Sequence, residues 1–188
     1  MTTVSWGDER LASSFAAGLA ARRKSARSLA KAVESAVEQV DGAALISVAR
    51  SNAPPFLQAK TLLGLLSYCY ARQVYSSKAI AAQLRRDFQF ESLEGAGNEL
   101  PDELILKRFR DQNRGPLDFC LKSALLFLGI EKVRQGMITH VSEANIARDA
   151  SRRIIMAMFI DSMEKEAATD AVSARTFRFP GGRPTARQ

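Results

Sequence analysis

The sequence has no apolar run long enough for a membrane-spanning helix, and it has few residues of the kinds that build metal or disulfide sites. Among 188 residues there are two cysteines and one histidine. The longest apolar stretch, Leu62–Ala71, is interrupted by Gly64 and Ser67 and falls short of the roughly 18 residues that a bilayer requires. We therefore expect no membrane span, no disulfide framework and no bound metal or cofactor.

A secretory signal is also missing from the pattern. The first twenty residues carry Asp8, Glu9 and Arg10 and show no basic run that leads into an apolar block. Cys69 and Cys120 both lie in apolar helical contexts, which is typical of buried thiols in a reducing compartment. We expect a cytoplasmic protein.

The composition indicates a folded, basic protein. Apolar residues make up 46% of the chain and charged residues 25%, so a core can form, and the length suits one domain with arms. Lysine and arginine exceed aspartate and glutamate by 27 to 20, a net charge of +7. A basic chain suits a polyanionic partner. The same excess could also reflect codon usage in a GC-rich genome.

Apolar residues recur at intervals of three and four along most of the chain, which predicts an all-α, multi-helix bundle. Helices are predicted over 9–21, from Ser25 or Ser28 to Val40, and over Phe56–Gln73, Lys78–Arg86, Pro101–Arg114, Gly115–Gly136 and 142–168. The pair Pro54-Pro55 marks a boundary. We expect a helical arm at 1–53, a main unit at 54–137, a C-terminal helix at 138–172 and a disordered basic tail at 173–188.

The two helices around residues 78–114 are the main candidate for a nucleic-acid interface. They form a pair like a helix-turn-helix, although the connection between them is long. On the second helix, Lys107, Arg110 and Arg114 are spaced to share one face, and Ile105 and Phe109 lie roughly opposite. The candidate DNA-binding residues are Ser76, Ser77, Lys78, Arg85, Arg86, Lys107, Arg108, Arg110, Gln112, Asn113, Arg114, Arg175, Arg178 and Arg183. An ordinary solvated helix face is the alternative.

Several segments, read in order, form a recognisable pattern. They are Leu62-Leu63-Gly64-Leu65-Leu66, Tyr75-Ser76-Ser77-Lys78-Ala79-Ile80, Leu84-Arg85-Arg86-Asp87, Phe90, Leu93, Pro101-Asp102-Glu103, Leu106-Lys107-Arg108-Phe109-Arg110, Gln112-Asn113-Arg114, and Leu117–Leu121 with Cys120. Over residues 54–130 this pattern resembles the amino-terminal helical domain of bacterial insertion-sequence transposases of the Asp-Asp-Glu type. The resemblance implies a module that recognises transposon ends. Ile105 departs from it, because Ser or Thr is common there in the family.

Transposases of this type carry their metal-binding Asp, Asp and Glu on a separate nuclease-like domain, and we expect that domain to be absent. Beyond the matched region 188 − 130 = 58 residues remain, and their pattern is helical with a basic tail. Asp149, Asp161, Glu164 and Asp170 fall on an amphipathic helix with basic neighbours and are interpreted as intrahelical charge pairs. His140 is interpreted as a helix-flanking polar group. No catalysis is expected.

Two functions from different classes follow. The first is a truncated or domesticated transposase that binds double-stranded DNA at transposon ends, in association with the nucleoid. The second is a helical interaction protein that forms a homodimer, or that dimerises with a full-length transposase and inhibits it. The apolar run Ile154–Ile160, which is either buried or meets a second chain, motivates this alternative. A decayed gene product without a selected role is a third possibility.

Overall fold

The structure, a computed structural model, describes residues 28–48, 59–84 and 101–176. All regular structure in these ranges is helical, which confirms the predicted all-α class. Helix α1 covers 28–38, and a short 3-10 turn follows at Gly42–Ala44. The other helices are α2 (Ala59–Ala71), α3 (Ser77–Leu84), α4 (Glu103–Gln112), α5 (Arg114–Arg134) and α6 (Glu143–Thr176). Within these ranges, no helix is both long and apolar enough to cross a membrane.

Helix α2 lies at the centre of the bundle because it is apolar on almost every side. Leu62, Leu63, Leu66 and Tyr70 are among its fully buried side chains. Helix α5 packs along α2, α6 packs on α5 and also contacts α2 and α3, and α3 pairs with α4. The core is therefore shared by all the helices and does not divide into layers.

Helix α1 contributes to this same core. Leu29, Val33, Ala36 and Val37 are buried in it. Gly64 of α2 faces α1, and a Cβ there would lie 3.7 Å from Val37 Cγ2, which is ordinary van der Waals contact. The described part of the predicted arm at 1–53 is thus packed on the unit that follows it. The predicted helix over 9–21 lies outside the described residues.

The helix ends follow local signals, with two differences from the sequence prediction. Helix α4 begins at Glu103 and not at Pro101, because the Asp102 carboxylate accepts a hydrogen bond from the Ile105 N–H at 2.9 Å and acts as the N-cap. Helix α6 runs to Thr176, past the predicted end near 168 and into the segment predicted to be a disordered tail. Alanines at 167, 168, 171 and 174 favour this continuation, because alanine has the highest helix propensity.

Candidate nucleic-acid interface and the buried polar cluster

Helix α4 buries Phe109 and partly buries Ile105, as predicted, but its inward face also includes Arg110. Its buried residues are Leu106, Phe109 and Arg110, and Asn113 just beyond its end is also buried. These residues are spaced three and four apart, so they form one inward face. Arg110 therefore lies on the core side of the helix, and Lys107, Arg110 and Arg114 do not share an exposed face.

Arg110 forms a buried ion pair with Asp161 of α6. The Arg110 Nη1 atom lies 2.6 Å from Asp161 Oδ2, and the two side chains are only 3% and 4% exposed. Because both partners are enclosed, the guanidinium cannot reach a DNA base or phosphate while the bundle is intact. The prediction that Arg110 contacts DNA is wrong.

Asp161 also caps the N-terminus of helix α3. Its carboxylate accepts hydrogen bonds from the Ser77 backbone N–H at 2.9 Å and from the Ser77 hydroxyl at 2.7 Å. A carboxylate at a helix N-terminus satisfies unpaired N–H groups and interacts favourably with the helix dipole. Ser77, Arg110 and Asp161 thus form a buried polar cluster that joins α3, α4 and α6. The predicted phosphate contact of Ser77 is corrected accordingly, because Ser77 is fully buried.

Tyr70 adds a hydroxyl to the edge of the polar cluster. Burial raises the pKa of Tyr70 to about 12, and the nearby Arg110 charge opposes that rise. The Tyr70 hydroxyl makes no well-formed hydrogen bond within the described ranges. Burial lowers the pKa of Arg110, but Tyr70 and Asp161 outweigh it, so that pKa is raised overall. Arg110 is therefore charged at every relevant pH.

Ser76 and Asn113 also have structural partners. The Ser76 hydroxyl accepts from the Ala79 N–H and donates to Glu164 Oε2, both at 3.0 Å. The Asn113 amide bonds both backbone groups of Ile46, with Oδ1 accepting at 2.8 Å and Nδ2 donating at 2.9 Å. Asn113 is buried and cannot read a base edge. Ser76 is half-buried, and its hydroxyl is already engaged with Glu164.

The cations of the candidate set separate into paired and free side chains. Lys107 pairs with Glu103 one turn earlier on α4. Lys78, Arg108 and Arg114 are exposed and have no ion-pair partner within 28–48, 59–84 and 101–176. Gln112 is also exposed. Arg175 lies on α6, and Arg85, Arg86, Arg178 and Arg183 lie outside the described residues.

The other acidic residues of α6 have mixed roles. Asp149 pairs with Arg153 four residues later, at 3.0 Å, which confirms the intrahelical interpretation for that residue. Asp161 and Glu164 instead bind residues outside α6, as described above, and Asp170 has no ion-pair partner among the described residues, so the intrahelical interpretation is wrong for these three. Arg153 Nη1 also donates to the carbonyl oxygens of Tyr70 and Ala71, each at 2.9 Å. It caps the C-terminal end of α2, where unpaired carbonyls remain.

The described residues contain no group of three or more His, Cys, Asp or Glu side chains that could hold a metal ion. Cys69 and Cys120 are buried free thiols, as the sequence predicted. Burial raises the pKa of Cys69 to about 12 and that of Cys120 to about 11. Neither thiol carries the thiolate character that a nucleophile or a metal ligand requires at neutral pH.

The outer face of α6, defined here by Ile155, Phe159 and Met163, is an exposed apolar surface. Ile155 and Phe159 are 58% and 59% exposed, and Met163 is 50% exposed. The run Ile154–Ile160 signalled this surface in the sequence, but Ile154 and Ala157 of that run are buried. The apolar run therefore has a core side and a solvent side.

Comparison of the chain with protein-family models, with curated proteins and with solved structures finds no match.

Proposed function

We propose that this chain binds double-stranded DNA through phosphate contacts, as a transposase-type helical module that performs no catalysis itself. The supporting observation is that Lys78, Arg108 and Arg114 are exposed and have no ion-pair partner among the described residues. The net charge of +7 and the resemblance over residues 54–130 favour the same reading. In this proposal the chain acts at the nucleoid, as a relative of the enzymes that it resembles.

The buried residues restrict the proposed binding mode. Because Arg110 and Asn113 are enclosed, two of the candidates to read bases are occupied within the fold, and Gln112 is the exposed member of that group. Phosphate contacts position a protein on DNA but carry no direct sequence information. We therefore expect the described part of the chain to bind different duplex sequences with similar affinity.

Salt dependence tests this proposal. Each phosphate that a cation neutralises contributes about 0.9 to the slope of log affinity against log salt. Changing Lys78, Arg108 and Arg114 together to alanine should reduce the magnitude of the slope by about 3, in fluorescence anisotropy with a random-sequence duplex. The matched control changes Lys31, Lys132 and Lys165, which are exposed cations elsewhere. A zero slope for the unmodified chain, or equal losses in both variants, would contradict the proposal.

A second candidate function is binding to another protein through the outer face of α6. The supporting observation is the exposure of Ile155, Phe159 and Met163 along one side of the helix, because contiguous exposed apolar surface marks interaction sites. In this reading the partner is a second copy of the chain or a full-length transposase.

Phe159→Asp tests the second candidate. We expect the substitution to lower the mass measured by light scattering, because a charge replaces the centre of the surface, and to leave the helical content measured by circular dichroism unchanged, because Phe159 is exposed. Leu104→Asp is a matched control on α4, since Leu104 is 54% exposed. A mass that is monomeric in the unmodified chain and unchanged by Phe159→Asp argues against self-association through this face.

A further inference from the structure

The outer face of α6 continues in both directions as a row of exposed, charged side chains. Arg148 and Arg152 precede the apolar residues, and Glu166 and Asp170 follow them; all four are exposed. At 100° per residue, the row Arg148, Arg152, Ile155, Phe159, Met163, Glu166 and Asp170 stays within about 80° around the helix axis. We call this set the α6 row. None of its four charged members has an ion-pair partner within the described parts of the chain.

The α6 row is symmetric about Phe159 in spacing and opposite in charge. Ile155 and Met163 lie four residues on either side (159 − 4 and 159 + 4), Arg152 and Glu166 lie seven on either side, and Arg148 and Asp170 lie eleven on either side. Each cation before Phe159 is thus matched by an acid at the same distance after it. Two such rows are complementary when they run in opposite directions.

We propose that the α6 row pairs with the α6 row of a second copy of this chain, antiparallel and about a twofold axis at Phe159. This inference rests on the second candidate function and specifies its partner. Phe159 then packs on its own symmetry mate, and Ile155 packs on the partner's Met163. Arg152 lies opposite the partner's Glu166, and Arg148 opposite the partner's Asp170. Such an interface is self-complementary, which is typical of twofold homodimers.

Charge selects this arrangement over the parallel one. Two parallel rows would place arginine opposite arginine and acid opposite acid, which is unfavourable. The α6 row extends about 33 Å, at 1.5 Å per residue, and only its middle is apolar. Because the interface is narrow and its ends are polar, it belongs among the smaller and weaker interfaces. We expect dimers that dissociate on dilution.

Charge reversal tests the pairing in the full chain. Arg148→Glu with Arg152→Glu gives a row that is acidic at both ends, and Glu166→Lys with Asp170→Lys gives one that is basic at both ends. Each variant alone should become monomeric in light scattering and sedimentation, and an equimolar mixture of the two should recover the dimer mass. Lys132→Glu with Lys165→Glu is the control for the arginine variant, since it also turns two cations into acids but away from the row, and it should keep the dimer.

Disulfide trapping tests the direction. An antiparallel pair places position 155 opposite position 163, so Ile155→Cys mixed with Met163→Cys should form a cross-linked heterodimer. Each variant alone should cross-link poorly, whereas a parallel pair would cross-link each alone. Cys69 and Cys120 are buried and do not interfere. Circular dichroism verifies that every variant remains helical.

The outcomes of these experiments distinguish a failure of the antiparallel pairing from a failure of either proposed function. A monomeric unmodified chain at every concentration overturns the inference. If Phe159→Asp dissociates the chain but the charge reversals do not, the outer face of α6 is an interface and the antiparallel pairing is wrong. DNA binding is measured with Lys78, Arg108 and Arg114, none of which is in the α6 row, so its failure is recognised independently.

Discussion

At the scale of single residues, Arg110 shows that a cation can lie in the core of a helical bundle when it pairs with a buried acid. It follows the buried Leu106 by one helical turn, so its position on α4 points it inward. A buried guanidinium requires a buried acid, and Asp161 supplies one from α6. The spacing of basic residues could not reveal this, because the partner lies 51 residues later on another helix.

The first prediction concerns this ion pair. Replacing Arg110 by methionine, or Asp161 by leucine, should each destabilise the chain by about 3–5 kcal/mol, because a buried charge loses its partner. The double variant should lose much less than the sum, since neither charge then remains. Chemical denaturation of the three variants measures the coupling.

Arg108→Met is the matched control for Arg110→Met, because Arg108 lies on the same helix and is exposed. Its stability should change by no more than about 0.5 kcal/mol. Additive losses in the Arg110 and Asp161 variants would show that the two side chains do not act as a pair.

At the scale of the helices, the sequence predicted well where the described helices lie in the chain. The apolar run Leu62–Ala71 predicted the buried helix α2, and Gly136, which has a φ of 69°, follows the end of α5 as expected of a residue that tolerates left-handed backbone. The side that each helix buries was harder to predict. On α4 the pattern of three and four fits both Lys107-Arg110-Arg114 and Leu106-Phe109-Arg110-Asn113, and only the neighbouring helices decide between them.

The second prediction compares two glycines of helix α5. A Cβ at Gly115 would have no atom within 4 Å beyond its own helix, whereas one at Gly129 would lie 3.0 Å from Val141 Cγ2. Alanine favours the helix over glycine by up to about 1 kcal/mol. We therefore expect Gly115→Ala to raise the melting temperature, and Gly129→Ala to give a smaller gain or a loss because Val141 must move. A larger gain at Gly129 would contradict the close packing there.

At the scale of the whole molecule, the described part of the predicted arm, residues 28–48, shares one core with the helices that follow it. Pro54-Pro55 indicated a boundary in the chain, but such a signal marks where helices stop and not whether they pack together. The stripe Leu29, Val33, Ala36 and Val37 is apolar enough to need a surface, and it packs beside α2, where Gly64 faces Val33 and Val37. The sequence predicted the apolar stripe of α1 but not the surface on which that stripe packs.

The third prediction measures how much α1 contributes to this shared core. Leu29 is 3% exposed, so Leu29→Ala should destabilise the whole chain by about 2–5 kcal/mol through lost contacts and a cavity. Lys31→Ala is the control on the same helix, since Lys31 is exposed. Denaturant titration with a single transition is expected for both. A small effect of Leu29→Ala would mean that α1 is only loosely attached.

The buried polar cluster has a consequence for synthesis of the chain. Ser77 and Arg110 are made before Asp161, which follows Arg110 by 51 residues. At about 5–20 residues per second, a ribosome needs about 3–10 s to add that length. For this interval the nascent protein lacks Asp161, and the acid beside the Arg110 guanidinium is Asp111, whose Oδ1 lies 3.2 Å from Arg110 Nε in the folded chain. Helices α3 and α4 contact each other directly and can form early, but the buried polar cluster that joins them to α6 is complete only once Asp161 has been made.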